Sequence, residues 1–220
     1  MPPETETAPL VCLITPGETG GETTPTGDDF LRLLALVRAA ARAGVDLVQL
    51  REKQLRPRVL YELAARSARI VRGTGTRLVV NDRADIARAA GACGVHLAAR
   101  SLDAATVRRV FGPDFLIGVS THPVDEAREA RDGGANFVVF GPVFDTPSKR
   151  AYGPPVGLER LGGTARALAP LPVLALGGVT RDNFAQALAA GARGVAAIRL
   201  FGDPHSLRDV VDEIKRARPS

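Results

Sequence analysis

At 220 residues and 23.1 kDa, the chain has the length of one large domain or two small ones, and one domain is the simpler expectation. Hydrophobic residues make up 45% and charged residues 24%, values that are ordinary for a globular protein and exclude a disordered chain. No apolar run approaches the roughly 20 residues that span a bilayer, and the N-terminus lacks the charge and apolar stretch of a secretion signal. We therefore expect a cytoplasmic protein that does not contact membranes.

The excess of basic residues indicates a class of ligand. Twenty-nine Lys and Arg against 24 Asp and Glu give a net charge of +5. The arginines are scattered over helix faces and aromatic residues are only 5%, so the pattern does not favour nucleic acid. Small phosphorylated substrates are the better expectation, and a homo-oligomer is compatible with the sequence.

The two cysteines, Cys12 and Cys93, stand in apolar surroundings. Neither has a second Cys or a His at metal-ligand spacing. We therefore expect two buried, reduced thiols and neither a disulfide nor a zinc site.

Short β-branched runs alternate with helical patterns, which indicates successive βα units around a parallel sheet. The predicted strands are 10–15, 47–51, 78–81, 94–97, 116–120, 137–140, 172–176 and 195–198. The predicted helices are 29–43, 58–72, 84–90, 104–111, 124–132, 158–168, 181–190 and 207–218. Glycines predicted to end helices in the left-handed conformation are Gly44, Gly73, Gly91, Gly133 and Gly191. Eight units predict a single-domain TIM (β/α)8 barrel over residues 10–220, after a flexible N-terminal tail over 1–9.

Polar residues cluster where these strands end, which is where a TIM barrel has its active site. Strand two runs into Gln49-Leu50-Arg51-Glu52-Lys53, and period-two alternation directs Gln49, Arg51 and Lys53 to one side and Leu50 and Glu52 to the other. Two cations and an amide on one side suit an anion. The alternative is a salt-bridged strand end.

Strand three ends in Asn81-Asp82-Arg83. The carboxylate there can coordinate a divalent metal and the amide can hold a phosphate oxygen, or one of the two can cap the following helix. His96, in strand four, is at least as readily a core histidine as a ligand.

The remaining strand ends also carry polar groups. Strand five delivers Ser120 and His122, and strand six runs into a long loop with Thr146, Ser148 and Lys149, which offer two hydroxyls and an ammonium to an anion. Strand seven ends at Gly177 and Gly178, whose backbone N–H groups suit a phosphate. Arg199, after strand eight, either contacts the same phosphate or pairs with a surface acid. The segment 17–27 is either a mobile lid or a solvated loop.

Six motifs at these strand ends resemble the thiamine phosphate synthase and TenI family. They are Gln-Leu-Arg-Glu-Lys at 49–53, Asn-Asp-Arg at 81–83, Gly-Val-His-Leu at 94–97, Gly-Val-Ser-Thr-His at 118–122, Gly-Pro-Val-Phe-Asp-Thr-Pro-Ser-Lys at 141–149 and Gly-Gly at 177–178. The resemblance spans about residues 10–203. It implies a TIM-barrel transferase that joins hydroxymethylpyrimidine diphosphate to thiazole phosphate, releasing diphosphate and giving thiamine phosphate.

The resemblance also implies roles for individual residues and a Mg²⁺ cofactor. By position, the diphosphate would be held by Arg51, Lys53, Asn81, Ser120 and Lys149, the pyrimidine by Gln49, the magnesium by Asp82, and the thiazole phosphate by Thr146, Ser148, Gly178 and the strand-eight loop. Gly177 adjoins this phosphate site, and Arg199 stands where synthases usually carry a serine.

The chain departs from the synthase pattern at the metal site, because Ser101 stands where the second magnesium aspartate is typical. Either Mg²⁺ binds through Asp82, substrate and water, or Asp103 replaces the missing ligand, or the metal-dependent reaction is weakened. A serine here resembles TenI, the thiazole tautomerase, in which a histidine at the position of His122 moves a proton. The first interpretation is a synthase. The alternatives are a TenI-type isomerase and a non-catalytic protein that binds thiazole phosphate.

Overall fold

The computed structural model describes residues 8–98, 101–146 and 154–217. The strands are β1 (Leu10–Ile14), β2 (Leu47–Leu50), β3 (Arg77–Asn81), β4 (Gly94–Leu97), β5 (Leu116–Thr121), β6 (Phe137–Phe140), β7 (Val173–Leu176) and β8 (Gly194–Ala197). Each strand pairs in parallel with the next, and β8 pairs with β1, which closes the barrel. The predicted TIM barrel is confirmed.

The helices alternate with the strands and cover the outside of the barrel. They are α1 (Asp28–Ala43), α2 (Pro57–Val71), α3 (Ala84–Ala90), α4 (Ala104–Phe111), α5 (Val124–Asp132), α6 (Gly157–Leu168), α7 (Phe184–Ala189) and α8 (Leu207–Arg216), with a 3₁₀ turn at Arg199–Phe201. In the described part of the chain, none of these helices has the length and apolar character needed to cross a bilayer.

Two local predictions at helix ends are wrong. Helix α7 begins three residues later than expected, because Asn183 shapes the preceding turn by accepting from Thr180 N at 2.8 Å and donating to Gly178 O at 2.9 Å. After α5, Gly133 is right-handed with φ −76°, and the left-handed position is Gly134 with φ +86°.

Apolar side chains form an inner and an outer cluster. The inner cluster contains strand residues alone and therefore lies inside the barrel; its buried members are Cys12, Ile14, Leu47, Phe137, Val139, Leu174 and Ala196. The outer cluster joins the alternate strand residues, such as Leu13 and Val48, to the helices. This alternation follows from the period of two in a strand.

The two cysteines differ in their surroundings. Both are free, but only Cys12 is buried, and burial raises the pKa of its thiol to about 12. Cys93 is exposed, contrary to the expectation, because it lies in the turn before β4 rather than in the strand.

Two polar side chains tie neighbouring strands at the N-terminal end of the barrel. Asp46, just before β2, accepts from Val11 N of β1 at 2.8 Å and from Lys215 Nζ at 3.0 Å. Asn136, just before β6, accepts from Ile117 N of β5 at 2.8 Å. The two ties are therefore four strands apart.

Arg108, on α4, reinforces the second tie. Its guanidinium donates to Asn136 Oδ1 at 2.7 Å. It also donates to backbone carbonyl oxygens, which are those of Gly112, Pro113, Phe115 and Gly134. One side chain thus connects α4 to the loops that precede β5 and β6.

Candidate active site

The last inward-facing residues of the eight strands surround the barrel mouth and fall into two groups by polarity. On β2 to β5 these residues are polar: Gln49, Asn81, His96 and Ser120. On β6, β7, β8 and β1 they are apolar: Val139, Leu176, Ala196 and Ile14. We call the two sets the polar arc and the apolar arc. The four polar residues come from consecutive hydrogen-bonded strands, so the fold brings them side by side.

The polar arc contains two side-chain hydrogen bonds. Gln49 Nε2 donates to Asn81 Oδ1 at 3.4 Å, and His96 Nε2 lies 2.7 Å from Ser120 Oγ. Gln49 is buried, whereas Asn81 and Ser120 are half-buried and face the mouth. A ligand that enters the barrel from this end therefore meets amide and hydroxyl groups.

His96 was underestimated at the level of sequence. It is fully buried beside the ring of Phe137, and this burial lowers the pKa of its imidazole to about 4, against a weaker opposing effect of the Asp82 charge. The ring is therefore neutral near neutral pH. Its Nδ1 has no hydrogen-bond partner among the described residues. Side chains alternate between the two faces of a strand, so His96 lies on the same face of β4 as Gly94, and this alternation was the sequence signal for its position inside the barrel.

The two cations after β2 make no ion pair with any acid in the described part of the chain. Arg51 is half-buried, and Lys53 is exposed in the turn after the strand. The salt-bridged strand end is therefore not what these residues form. Glu52 is buried instead, and its hydrogen bonds go to the loop after β1.

Asp82 lies where β3 ends and has a left-handed backbone, with φ +58°. Its Oδ1 accepts from Ala98 N at 2.9 Å and from Ser101 Oγ, and its Oδ2 accepts from Asn81 Nδ2 at 2.8 Å. The alternative role as a helix cap is wrong for both residues, because Arg83 occupies the N-cap of α3 and no side chain caps it.

Few of the described residues are placed to hold a divalent cation. Within the described ranges, no group of three or more His, Cys, Asp or Glu could hold a metal ion. Asp103 is committed elsewhere: it caps α4 by accepting from Thr106 N and Oγ1, and these bonds lower the pKa of its carboxyl. Asp82 and Ser101 remain, and one carboxylate with one hydroxyl fits a Mg²⁺ that takes its other ligands from phosphate and water.

The loops after β6 and β7 pack closely because of two glycines. Gly177 has φ +93° and Gly178 has φ +65°. A Cβ at Gly178 would lie 2.5 Å from Asp145 O, which no side chain could tolerate without a shift of the backbone. Phe144 N donates to Gly177 O at 3.0 Å across the two loops.

Arg199 connects the β8 end to the β6 loop. Its Nη2 donates to Oγ1 of the buried Thr146 at 3.1 Å. Among the described acids none pairs with Arg199, so the alternative of a surface ion pair is not observed there. Ser148 and Lys149, predicted beside Thr146, lie outside the described residues.

His122 follows β5 and is exposed. Its backbone N donates to Glu126 Oε2 at 3.1 Å, and its Nδ1 is hydrogen-bonded to Gly141 O. Because a carbonyl only accepts, Nδ1 carries the hydrogen of this bond, and in the neutral ring the lone pair is on Nε2. His122 can therefore accept a proton at Nε2.

Comparisons with known proteins agree with this geometry. A family model described as thiamine monophosphate synthase matches residues 23–201. A putative thiamine-phosphate synthase of Geobacter sulfurreducens is 50% identical over 173 residues, which cover 78% of this chain and 81% of the relative. The thiamine-phosphate synthase of Moorella thermoacetica is 42% identical over 165 residues, which cover 75% of this chain and 78% of the relative. The thiamine phosphate pyrophosphorylase of Pyrococcus furiosus matches with a TM-score of 0.75 and 27% identity, over 93% of this chain and 96% of that one. The chain belongs to the thiamine monophosphate synthase family.

Proposed function

We propose that this protein is a thiamine phosphate synthase, a transferase that couples hydroxymethylpyrimidine diphosphate to thiazole phosphate. The observation that carries the proposal is the polar arc on β2 to β5, which faces an apolar arc, together with Arg51 and Lys53 directly after β2. Cations that pair with none of the described acids, near amides and a hydroxyl, suit a diphosphate. The family of the chain and the names of its relatives support the same activity.

The reaction replaces one bond at the pyrimidine methylene carbon with another. The carbon–oxygen bond to the diphosphate breaks, the electron pair stays on the diphosphate oxygen, and the thiazole nitrogen captures the resulting benzylic-type cation. Negative charge grows on the leaving diphosphate, so catalysis consists mainly of stabilising that charge in place. Arg51, Lys53 and Lys149 supply positive charge, and Asn81 and Ser120 donate hydrogen bonds.

The polar arc also orients the pyrimidine. Gln49 is buried and hydrogen-bonded to Asn81, so its amide is held in one orientation at the floor of the mouth. We assign Gln49 to the pyrimidine ring. In the neutral tautomer with the hydrogen on Nε2, His96 donates to Ser120 Oγ at 2.7 Å, and Ser120 keeps its own hydrogen for the leaving group.

Mg²⁺ is the cofactor on which this family generally depends, and it would supply positive charge to the diphosphate. Asp82 and Ser101 are the residues that would hold it. Asn81 and Ala98 already hold the Asp82 carboxylate in a fixed orientation, which prepares it for a cation at the mouth. One carboxylate instead of two predicts a higher Mg²⁺ requirement.

The thiazole phosphate is assigned to the loops after β6, β7 and β8. Gly177 and Gly178 permit close approach of the backbone, Thr146 and Ser148 supply hydroxyls, and Arg199 supplies a cation. A phosphate that displaces the contact between Arg199 and Thr146 would gain a charge-assisted hydrogen bond.

The test is a two-substrate assay of diphosphate release with and without Mg²⁺. The wild-type chain should release diphosphate only when both substrates and Mg²⁺ are present. Arg51→Ala and Lys149→Ala should lower kcat more than substrate affinity, because charge develops on the leaving group in the transition state. Arg58→Ala, an exposed arginine on α2, is the matched control and should behave as wild type. Absence of diphosphate release from pure wild-type protein would refute the proposal.

A TenI-type isomerase is the second candidate, and the lone pair on His122 Nε2 is the observation that favours it. An isomerase would convert a carboxylated thiazole phosphate with no pyrimidine substrate present. His122→Ala would then abolish conversion and leave binding of the thiazole intact. A synthase without isomerase activity would show no such conversion in the wild-type chain.

A further inference from the structure

Glu52 stands between Arg51 and Lys53 in the sequence, and its carboxylate is buried. Its side chain is only 3% exposed. Three donors reach it from the segment 15–19, which we call the β1 loop: Gly17 N to Oε1 at 3.1 Å, and Thr19 N and Oγ1 to Oε2 at 3.3 and 2.6 Å. Within the described residues, no Lys or Arg pairs with this carboxylate. Its partners are therefore the neutral groups of one loop.

The same loop contacts Arg51 directly. Arg51 N donates to Thr15 Oγ1 at 2.8 Å. Gly17 packs so closely that a Cβ on it would lie 3.0 Å from Arg51 O and 3.2 Å from Arg51 Nη1. The β1 loop thus touches Arg51 at its main chain and at its guanidinium.

We infer that Glu52 is a positioning residue, which ties the β1 loop to the end of β2 and thereby holds the Arg51 guanidinium at the barrel mouth for an anionic leaving group. The inference rests on the proposed function, since it concerns how Arg51 meets the diphosphate. The inference gives a positioning role to the buried Glu52 carboxylate, which takes no part in the proposed reaction.

A glutamate side chain has two oxygen acceptors, which matches the donors of Gly17 and Thr19 that converge on it. Glutamine has the same shape, but its amide offers one acceptor and places N–H groups against the donors of the loop. Glu52→Gln therefore leaves a buried donor at Gly17 or Thr19 without a partner, and the loop is released from β2. A displacement of about 1 Å in a group that binds a leaving group can cost about a hundredfold in rate.

The experiment measures binding of inorganic diphosphate to the full chain by calorimetry, together with steady-state kinetics. For Glu52→Gln we expect diphosphate affinity to fall about tenfold and kcat to fall by a larger factor, as for Arg51→Ala, with the KM for thiazole phosphate unchanged. Glu62→Gln, which removes an equal charge from a surface ion pair with Arg66, should match wild type. A merely structural role would lower both affinities alike, or neither.

A double variant separates positioning from other effects. If Glu52 acts through Arg51, adding Glu52→Gln to Arg51→Ala should cause no further loss of diphosphate affinity. Hydrogen exchange at the Gly17 and Thr19 amides should become faster in Glu52→Gln, and it reports on the tie without any substrate.

Two results would overturn the inference: diphosphate affinity in Glu52→Gln equal to wild type, or an additive loss in the double variant. Failure of the proposed function would look different, since wild-type protein would then neither bind diphosphate nor release it from substrate. Should Glu52→Gln fold poorly, Thr19→Val removes one donor to the carboxylate and should give a smaller effect of the same kind, with Thr19→Ser retaining wild-type affinity.

Discussion

Lowering the pH from about 7.5 to about 5 should destabilise this protein through one buried imidazole. Burial lowers the pKa of His96 from 6.5 to about 4, so between these values the unfolded chain takes up a proton that the folded chain does not. The contribution to stability is therefore present above pH 6.5 and is lost as the pH falls. At about 1.4 kcal/mol for each pKa unit, the full loss is about 3 kcal/mol, of which about 2 kcal/mol is reached at about pH 5.

Urea unfolding of wild type and of His96→Gln measures this contribution. The glutamine does not titrate, so the difference in unfolding free energy between the two proteins should shrink by about 2 kcal/mol between about pH 7.5 and about pH 5. His205→Gln, at an exposed position, controls for the removal of a histidine as such. A difference that stays constant or widens toward low pH would show that His96 is not held neutral by burial.

Three further changes have defined outcomes. Ser101→Asp should lower the Mg²⁺ concentration that gives half the maximal rate of diphosphate release, and an unchanged or higher requirement would contradict the assigned metal site. Arg108→Ala should lower the free energy of urea unfolding by about 2 kcal/mol, since partly buried carbonyl oxygens lose a charged donor, while Arg109→Ala should change it little. Gly178→Ala should raise the KM for thiazole phosphate because the new Cβ meets Asp145 O, whereas Gly163→Ala, with open space around it, should leave kinetics unchanged.

Local patterns of apolar and turn-forming residues were sufficient to predict the fold. Helices α3, α4 and α5 have the predicted bounds, as do strands β4 and β6, because glycines and apolar periodicity mark their ends. Strand order follows from the count of eight βα units, which is typical of a barrel in which consecutive strands are neighbours. The prediction that polar groups meet at one end of the barrel rested on this topology, and the polar arc lies there. The roles given to these residues stay predictions.

Side-chain contacts between segments that are distant in the chain could not be predicted from the sequence. Glu52 meets a loop more than 30 residues earlier in the chain, so alternation correctly turned it away from Arg51 but gave no sign of its partners. Asp82 resembles a helix cap in sequence, and only its left-handed backbone turns its carboxylate toward Ser101. A core position for His96 is compatible with the sequence, whereas its contacts with Ser120 and Phe137 depend on the neighbouring strands β5 and β6.

The ties at Asp46 and Asn136 divide the barrel into two equivalent halves. Each joins the first two strands of a four-stranded half, so a chain cut in the turn between α4 and β5 would leave both ties intact. Two side chains would cross the cut, since Arg108 on α4 donates to Gly134 O and Asn136 Oδ1 and Lys215 on α8 donates to Asp46. Two separately expressed fragments should then reassemble through the β4–β5 and β8–β1 strand pairs, with Arg108 and Lys215 each adding side-chain contacts between them.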